Sequence, residues 1–156
     1  MVIIVPESGI FDAEAKRLAE AHELYSKLNV EVVRQDQIFN EFGSGTPDAT
    51  ALRRYMKMLY DRAKSEGDMP RYLLLFGDGA FDNRMITSPW KSHSPKDYLL
   101  VYEQNDGYDT QSENVIGDIV SYPSDDYFGL LDDGEGNNLK TEKVDLGMGR
   151  FVCNNK

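Results

Sequence analysis

The sequence predicts a three-layer α/β fold, in which a mostly parallel sheet lies between helices. Strand-like and helical segments alternate through the first half of the chain, the order typical of parallel sheets with crossover helices. The segment at residues 71–77, RYLLLFG, is an almost continuous apolar run, as expected of a central strand that is covered on both faces. With 156 residues, 40% of them hydrophobic, the chain is large enough to bury one core. We therefore expect a single α/β unit over residues 1–156.

Two strands and two helices are predicted before that central strand. Residues 1–5 and 30–34 are short runs rich in β-branched side chains. Residues 11–28 carry apolar side chains at helical spacing, which predicts a first helix between them. Thr46 and Pro47 suit the N-cap and the first turn of a second helix. Its apolar stripe, which predicts core packing and not a cofactor site, is Leu52, Tyr55, Met56, Leu59, Tyr60 and Ala63.

The second half of the chain is predicted to contain short strands separated by long polar loops. The strand-like runs are residues 98–102, 125–131 and 144–151, and residues 82–97 and 103–120 connect them. These connections are longer than simple turns, and loops of this length usually serve a function. The acidic, glycine-rich loop DDGEGNN separates the last two strands.

The charge of the chain excludes some classes of partner. The formal net charge is −10, so the domain would repel nucleic acid and anionic membranes. No apolar run approaches the ~20 residues of a membrane span. Cations and basic peptides remain as expected partners.

The turn Gly77-Asp78-Gly79, which follows the central strand, admits several interpretations. A phosphate cradle would need a third glycine where Asp82 stands, and a helix directly after it. A phospho-acceptor aspartate would need an acidic pair after the first strand, where Pro6-Glu7-Ser8 offers one acid. We therefore predict a corner at the carboxyl edge of the sheet, where open α/β folds bind their ligands.

Metal binding is an open alternative for the acidic loops. Carboxylate oxygens are the ligands that calcium prefers. The acidic side chains that could supply them are Asp78, Asp82, Asp125, Asp126, Asp132, Asp133 and Glu135, and the calcium candidates among them are Asp78, Asp82, Asp126 and Asp132. The competing interpretation is that these side chains cap turns and face solvent, because the loop lacks the full EF-hand spacing.

Nucleophilic chemistry has few candidates in this chain. Cys153 is the one cysteine and cannot form an internal disulfide. A general base that deprotonates its thiol would have to be His22 or His93. A cysteine nucleophile needs a base within hydrogen-bond reach, and His22 is predicted on the apolar face of the first helix. We expect no catalytic residue among them.

Four segments resemble one known family. They are IFNEFGSGTPDATALRRYMKMLYDRA, PRYLLLFGDGAFDNR, SYPSDDYFGLLDDGEG and DLGMGRF, and they are similar to the gingipain-type cysteine peptidases, in particular to the PorU-type sortases of the type IX secretion system. The resemblance implies a catalytic domain of two α/β subdomains, of which residues 1–156 match the first. It also implies that the catalytic histidine, in a Gly-His-Gly motif, and the catalytic cysteine lie in the second, since no such motif occurs here.

The resemblance further implies what the parent protein does. It would be a secreted or outer-membrane cell-surface peptidase that removes the C-terminal signal domains of type IX cargo. The partners of this chain would then be the second catalytic subdomain and those cargo domains. The alternative expectation is a calcium-stabilised α/β binding module without enzymatic activity.

Overall fold

The computed structural model describes residues 1–105 and 121–153. Within these residues the helices are α1 (Asp12–Ala21), α2 (Gln35–Phe42) and α3 (Ala49–Arg62). The strands are β1 (Val2–Val5), β2 (Glu31–Arg34), β3 (Tyr72–Phe76), β4 (Tyr102–Asn105), β5 (Ser121–Ser124) and β6 (Gly147–Phe151). No helix in the described part of the chain is long and apolar enough to cross a bilayer.

The main sheet has four parallel strands in the order β2-β1-β3-β6. This confirms the predicted parallel α/β fold, with β3 in the interior of the sheet. Strand β1 pairs with β2 and β3, and β3 pairs with β6 along its whole length. Strands β4 and β5 form a separate antiparallel pair.

The sheet buries a different apolar cluster on each face. On one face, α1 packs Ala15 and Ala19 against Ile3, Val5 and Phe76. On the other face, α2 and α3 pack against the alternate side chains of β1 and β3, including Ile4 and Leu75. The predicted stripe of α3 belongs to this second cluster from Leu52 to Tyr60, whereas Ala63 lies just after the helix, at its C-cap. The fold therefore has three layers, with the sheet between α1 on one face and α2 and α3 on the other.

The predicted helices differ from the observed ones in three respects. The helix predicted over residues 11–28 changes after Ala21 into a π-helical turn over His22–Ser26, which ends at Lys27 in the left-handed region (φ 55°). The N-cap of α3 is Asp48, which accepts a hydrogen bond from the Thr50 amide at 2.8 Å, so Thr46 as N-cap was wrong. Helix α2 was not predicted, because its eight residues, QDQIFNEF, alternate polar and apolar side chains too briefly to show a helical period.

Two of the predicted strands are also wrong. Residues 125–131 contain a 3₁₀ turn at Asp126–Gly129, which buries Tyr127 and Phe128 against α3. Residues 98–102 make a single bridge at Leu99, and regular strand begins only at Tyr102. The predicted loop at residues 103–120 begins with most of β4, and its residues 106–120 lie outside the described residues.

Candidate functional site

The turn after β3 lies at the carboxyl edge of the sheet, between the ends of β1 and β6. The Gly77 amide donates to the Phe151 carbonyl, and the Asp78 amide donates to the Cys153 carbonyl, both at 3.1 Å. A side chain at Gly77 would meet Pro6, because an added Cβ lies 3.0 Å from the Pro6 Cγ. The turn is therefore a closely packed corner, as the sequence predicted.

Arg150 joins the elements that surround this corner. Its guanidinium donates to both carboxylate oxygens of Asp125, at 2.7 and 2.8 Å. It also donates to the carbonyls of Gly77 (3.3 Å) and Leu100 (3.4 Å). The Arg150 side chain is only 11% exposed, so these bonds form largely away from solvent. One arginine thus ties together β6, the exit of β3, the residue 98–101 segment and the start of the 3₁₀ turn.

Polar side chains also hold the residue 98–101 segment, where the sequence had predicted a strand. The buried Gln35 donates from its amide to the Tyr98 carbonyl at 2.7 Å and accepts from the Leu100 amide at 3.2 Å. The Asn83 amide group makes the same pair of bonds to the backbone of Val101. These side chains replace the strand partner that an isolated extended segment needs.

Two of the four candidate metal ligands belong to this edge. One carboxylate oxygen of Asp78 accepts from the Gly79 amide at 2.8 Å. Asp82 accepts from the Thr87 amide and hydroxyl at 2.6 and 2.7 Å, and these bonds lower the pKa of its carboxyl group. Both carboxylates therefore order loops at the carboxyl edge.

The other two candidate metal ligands do not join Asp78 and Asp82, and the structure does not bring the four together. Asp126 is exposed at the first residue of the 3₁₀ turn. Asp132 accepts from the Tyr60 hydroxyl near the end of α3 and lies close to Glu135 and Asp145, with one oxygen of each within 4.8 Å of the others. Since Asp145 precedes β6, this group is at the amino edge of the sheet, opposite Asp78. The acidic group of Asp132, Glu135 and Asp145 could hold a cation.

The thiol and the two imidazoles of the described residues do not form a nucleophile–base pair. Cys153 follows β6 at the carboxyl edge, and burial, followed by the nearby charge of Asp78, raises the pKa of its thiol above the usual value. His22 bonds Ser26 and lines a groove beside Met1, at the amino edge. His93 contacts the Tyr98 hydroxyl at 3.0 Å and the ring of Trp90. A protonated thiol without a base nearby is a poor nucleophile.

The roles of Gln35 and Arg150 were not predicted from the sequence. The strand pattern of β6 held the signal for the arginine, because Met148 and Arg150 alternate with Gly147, Gly149 and Phe151, so that Arg150 points toward the covered face. A charged residue at an inward position of a strand indicates a buried partner. No comparable signal existed for Gln35, because α2 itself was not predicted.

The fold and this edge define a class of protein: a parallel α/β unit whose sheet presents an ordered carboxyl edge. The model of peptidase family C25 matches residues 1–156. The chain belongs to this family, the gingipain family.

The chain is also similar to one solved structure. The crystal structure of dimeric latent PorU from Porphyromonas gingivalis matches with 39% sequence identity and a TM-score of 0.79. The match covers 98% of this chain and 14% of that chain, so this chain spans about one seventh of the length of its relative. The search of curated proteins returned no match.

Proposed function

We propose that residues 1–156 are the non-catalytic first subdomain of a secreted cysteine peptidase or sortase of the gingipain family. The parent protein processes the C-terminal sorting signals of type IX secretion cargo at the outer-membrane cell surface. The observation that carries this proposal is the 39% identity to PorU over 98% of the chain, together with the family match over its full length.

The geometry of the carboxyl edge favours a role in positioning the catalytic subdomain. Arg150, Gln35 and Asn83 fix the backbone of residues 77–79 and 98–101 through bonds that leave little freedom to these segments. Such an ordered rim suits a surface on which a neighbouring subdomain positions its own catalytic groups. The thiol of Cys153 has a raised pKa and faces no imidazole, which supports assigning the nucleophile to another part of the polypeptide.

The proposal predicts which cysteine is dispensable. In the full polypeptide, Cys153→Ser is expected to leave the cleavage rate of a cargo-derived C-terminal signal unchanged, with at most a modest loss of stability. The measurement is kcat/KM on a purified signal-domain substrate, with Ala13→Ser, an exposed site on α1, as the matched control. Loss of cleavage in Cys153→Ser alone would place the nucleophile within this chain and reject the proposal.

A second candidate function, a calcium-stabilised binding module, is favoured by the acidic group of Asp132, Glu135 and Asp145. Some carboxylate oxygens of this acidic group already accept hydrogen bonds from the backbone. Asp145 accepts from the Leu131 amide at 2.7 Å, and Glu135 accepts from the Asp132 amide at 3.1 Å. The group therefore also has a structural role in closing the acidic loop.

Millimolar calcium is expected to raise the Tm of the chain by a few degrees if this group binds the ion, because a ligand of the folded state stabilises it by mass action. Asp145→Asn, which keeps an acceptor for Leu131, should reduce the rise. Asp78→Asn, at the opposite edge of the sheet, should leave it unchanged. Thermal unfolding at constant ionic strength measures the calcium-induced change of Tm in the wild type and in both variants. An unchanged Tm with calcium would mean that these residues only close the loop.

A further inference from the structure

Two hydrogen bonds hold the peptide group between Gly77 and Asp78, in the turn after β3. At its carbonyl end, the Gly77 oxygen accepts from the guanidinium of Arg150 at 3.3 Å. At its amide end, the Asp78 N–H donates to the Cys153 carbonyl at 3.1 Å. This last bond extends the pairing of the two chain segments beyond the ends of β3 and β6.

The next peptide group, between Asp78 and Gly79, is held in the same way. The Asp78 carbonyl accepts from the Leu99 amide at 2.9 Å. The Gly79 amide donates to the carboxylate of Asp78 itself at 2.8 Å. Both backbone torsions of Asp78 are therefore fixed by hydrogen bonds, and its own side chain supplies one of them. A substitution that removes this carboxylate oxygen leaves the other three donors and acceptors in place.

The same turn holds the backbone at the point where the chain leaves β6. The Gly77 amide donates to the Phe151 carbonyl, and the Asp78 amide donates to the Cys153 carbonyl. The Cys153 amide in turn donates to the Phe151 carbonyl at 2.9 Å. Only the backbone of Cys153 takes part, so its thiol is not needed for this arrangement. The orientation of the turn therefore sets the direction of the chain at Cys153.

We propose that Asp78 is a positioning residue, whose carboxylate fixes the turn that directs the polypeptide after Cys153 toward the catalytic subdomain. The inference rests on the proposed function, in which the nucleophile and its base lie outside residues 1–156. Catalytic groups act within narrow limits of distance and angle, and a misplacement of about 1 Å can lower a rate about 100-fold. Rotation of one peptide group in the turn would shift the start of the connection between the two subdomains.

This role needs the acceptor oxygen of Asp78 and not its negative charge. Asparagine keeps an oxygen at the same position, so Asp78→Asn retains the bond from the Gly79 amide. Asp78→Glu keeps the charge but moves the carboxylate one methylene farther from the backbone, so it does not close the same short ring with Gly79. The two variants thus separate the hydrogen bond from the charge, and a role for the charge, as in binding a basic substrate, predicts the opposite order of activities.

Cleavage of a purified cargo signal domain by the full polypeptide measures the effect. Asp78→Ala and Asp78→Glu are expected to lower kcat about 10-fold or more with KM nearly unchanged, after correction for the folded fraction from circular dichroism. Asp78→Asn should restore kcat. Asp61→Ala, which removes an exposed carboxylate from α3, is the matched control and should change neither constant. An unchanged kcat in Asp78→Ala, or an equal loss in Asp78→Asn, would overturn the inference.

Hydrogen–deuterium exchange gives a readout that needs no substrate. The peptide that contains Phe151 and Cys153 has the same sequence in every variant, so its exchange reports the backbone alone. In the full polypeptide, Asp78→Ala is expected to speed the exchange of this peptide several-fold, because the bonds that hold the Cys153 backbone open more often. Asp78→Asn and Asp61→Ala should exchange as the wild type does. Equal exchange in all four proteins would reject the positioning role.

The two proposals can fail separately. A wild-type polypeptide that cleaves no cargo signal would reject the proposed function, and the exchange measurement would still decide whether Asp78 holds the chain at Cys153. Cleavage by the wild type, together with unchanged kcat and exchange in Asp78→Ala, would retain the function and reject the positioning role.

Discussion

Replacing Arg150 by methionine is expected to lower the free energy of unfolding of the chain by about 2–3 kcal/mol, since hydrogen bonds to charged groups contribute most when both partners leave solvent. The substitution removes the two bonds to Asp125 and leaves that carboxylate, only 28% exposed, without its cation. It also frees the carbonyls of Gly77 and Leu100. Methionine keeps an unbranched apolar chain about as far as the arginine Nε, so less packing is lost than with alanine.

Urea unfolding followed by circular dichroism measures this change. Arg62→Met, at an exposed position at the end of α3, is the matched control and should change the stability little. The double variant Arg150→Met/Asp125→Leu should recover part of the loss, because it no longer leaves an unpaired carboxylate. A loss no larger than that of Arg62→Met would show that Arg150 does not hold the carboxyl edge together.

The two glycines Gly79 and Gly149 should respond to the same substitution in opposite directions. At Gly79, an added Cβ would lie 2.5 Å from the Val101 Cγ1 and 3.2 Å from an Arg150 nitrogen, and such overpacking costs about 1–3 kcal/mol. At Gly149 the space is open, and alanine in a strand is about 0.5–1 kcal/mol better than glycine. Gly79→Ala is therefore expected to destabilise the chain and Gly149→Ala to stabilise it slightly.

Chemical unfolding of the two alanine variants side by side provides the comparison, and each variant is the control for the other. Val101 is buried and its backbone is bonded to Asn83, so it cannot easily move away from a new methyl group. Equal stability of the two variants would mean that the corner after β3 adapts, contrary to the packing described here.

The central sheet could be predicted from the sequence because its signals are local. The apolar run of β3 and the alternation of strands with amphipathic helices determine a parallel sheet almost by themselves. The stripe of α3 from Leu52 to Tyr60 was predicted correctly for the same reason, since its side chains repeat at helical spacing, although Ala63 lies after the helix. Its start was misplaced by two residues, because Thr46 and Asp48 are both good N-caps and only tertiary structure decides between them.

The second half of the chain could not be predicted as well, because side chains distant in sequence hold it. Residues 98–101 look like a strand, but Gln35, Asn83 and Arg150 take the place of strand partners. The predicted strand at residues 125–131 instead places Tyr127 against the guanidinium of Arg53. These hydrogen bonds to residues 98–101 span 18 (Asn83), 50 (Arg150) and 63 residues (Gln35), and contacts at such separations leave no periodic pattern in the sequence.

The position of the ordered turn after β3 was predicted from the sequence, but the side chains that hold it were not. The sequence indicated a functional edge after β3, and the structure places the ordered turn, Asp78, Asp82 and Arg150 there. From the sequence, Asp78, Asp82, Asp126 and Asp132 were candidate metal ligands. Of these four, only Asp132 belongs to the acidic group of the structure, together with Glu135 and Asp145. Asp145 was not a candidate, because only the folding of the acidic loop brings it near Asp132.

If the chemistry lies outside residues 1–156, the nucleophilic thiol lies there too, and affinity labelling can locate it. The full polypeptide is treated with a peptide chloromethyl ketone, which alkylates the nucleophilic thiol of a cysteine peptidase, and the modified residue is identified by mass spectrometry. A single labelled cysteine outside residues 1–156 is expected, with Cys153 unmodified. Labelling of Cys153 that requires the peptide portion of the reagent would contradict it.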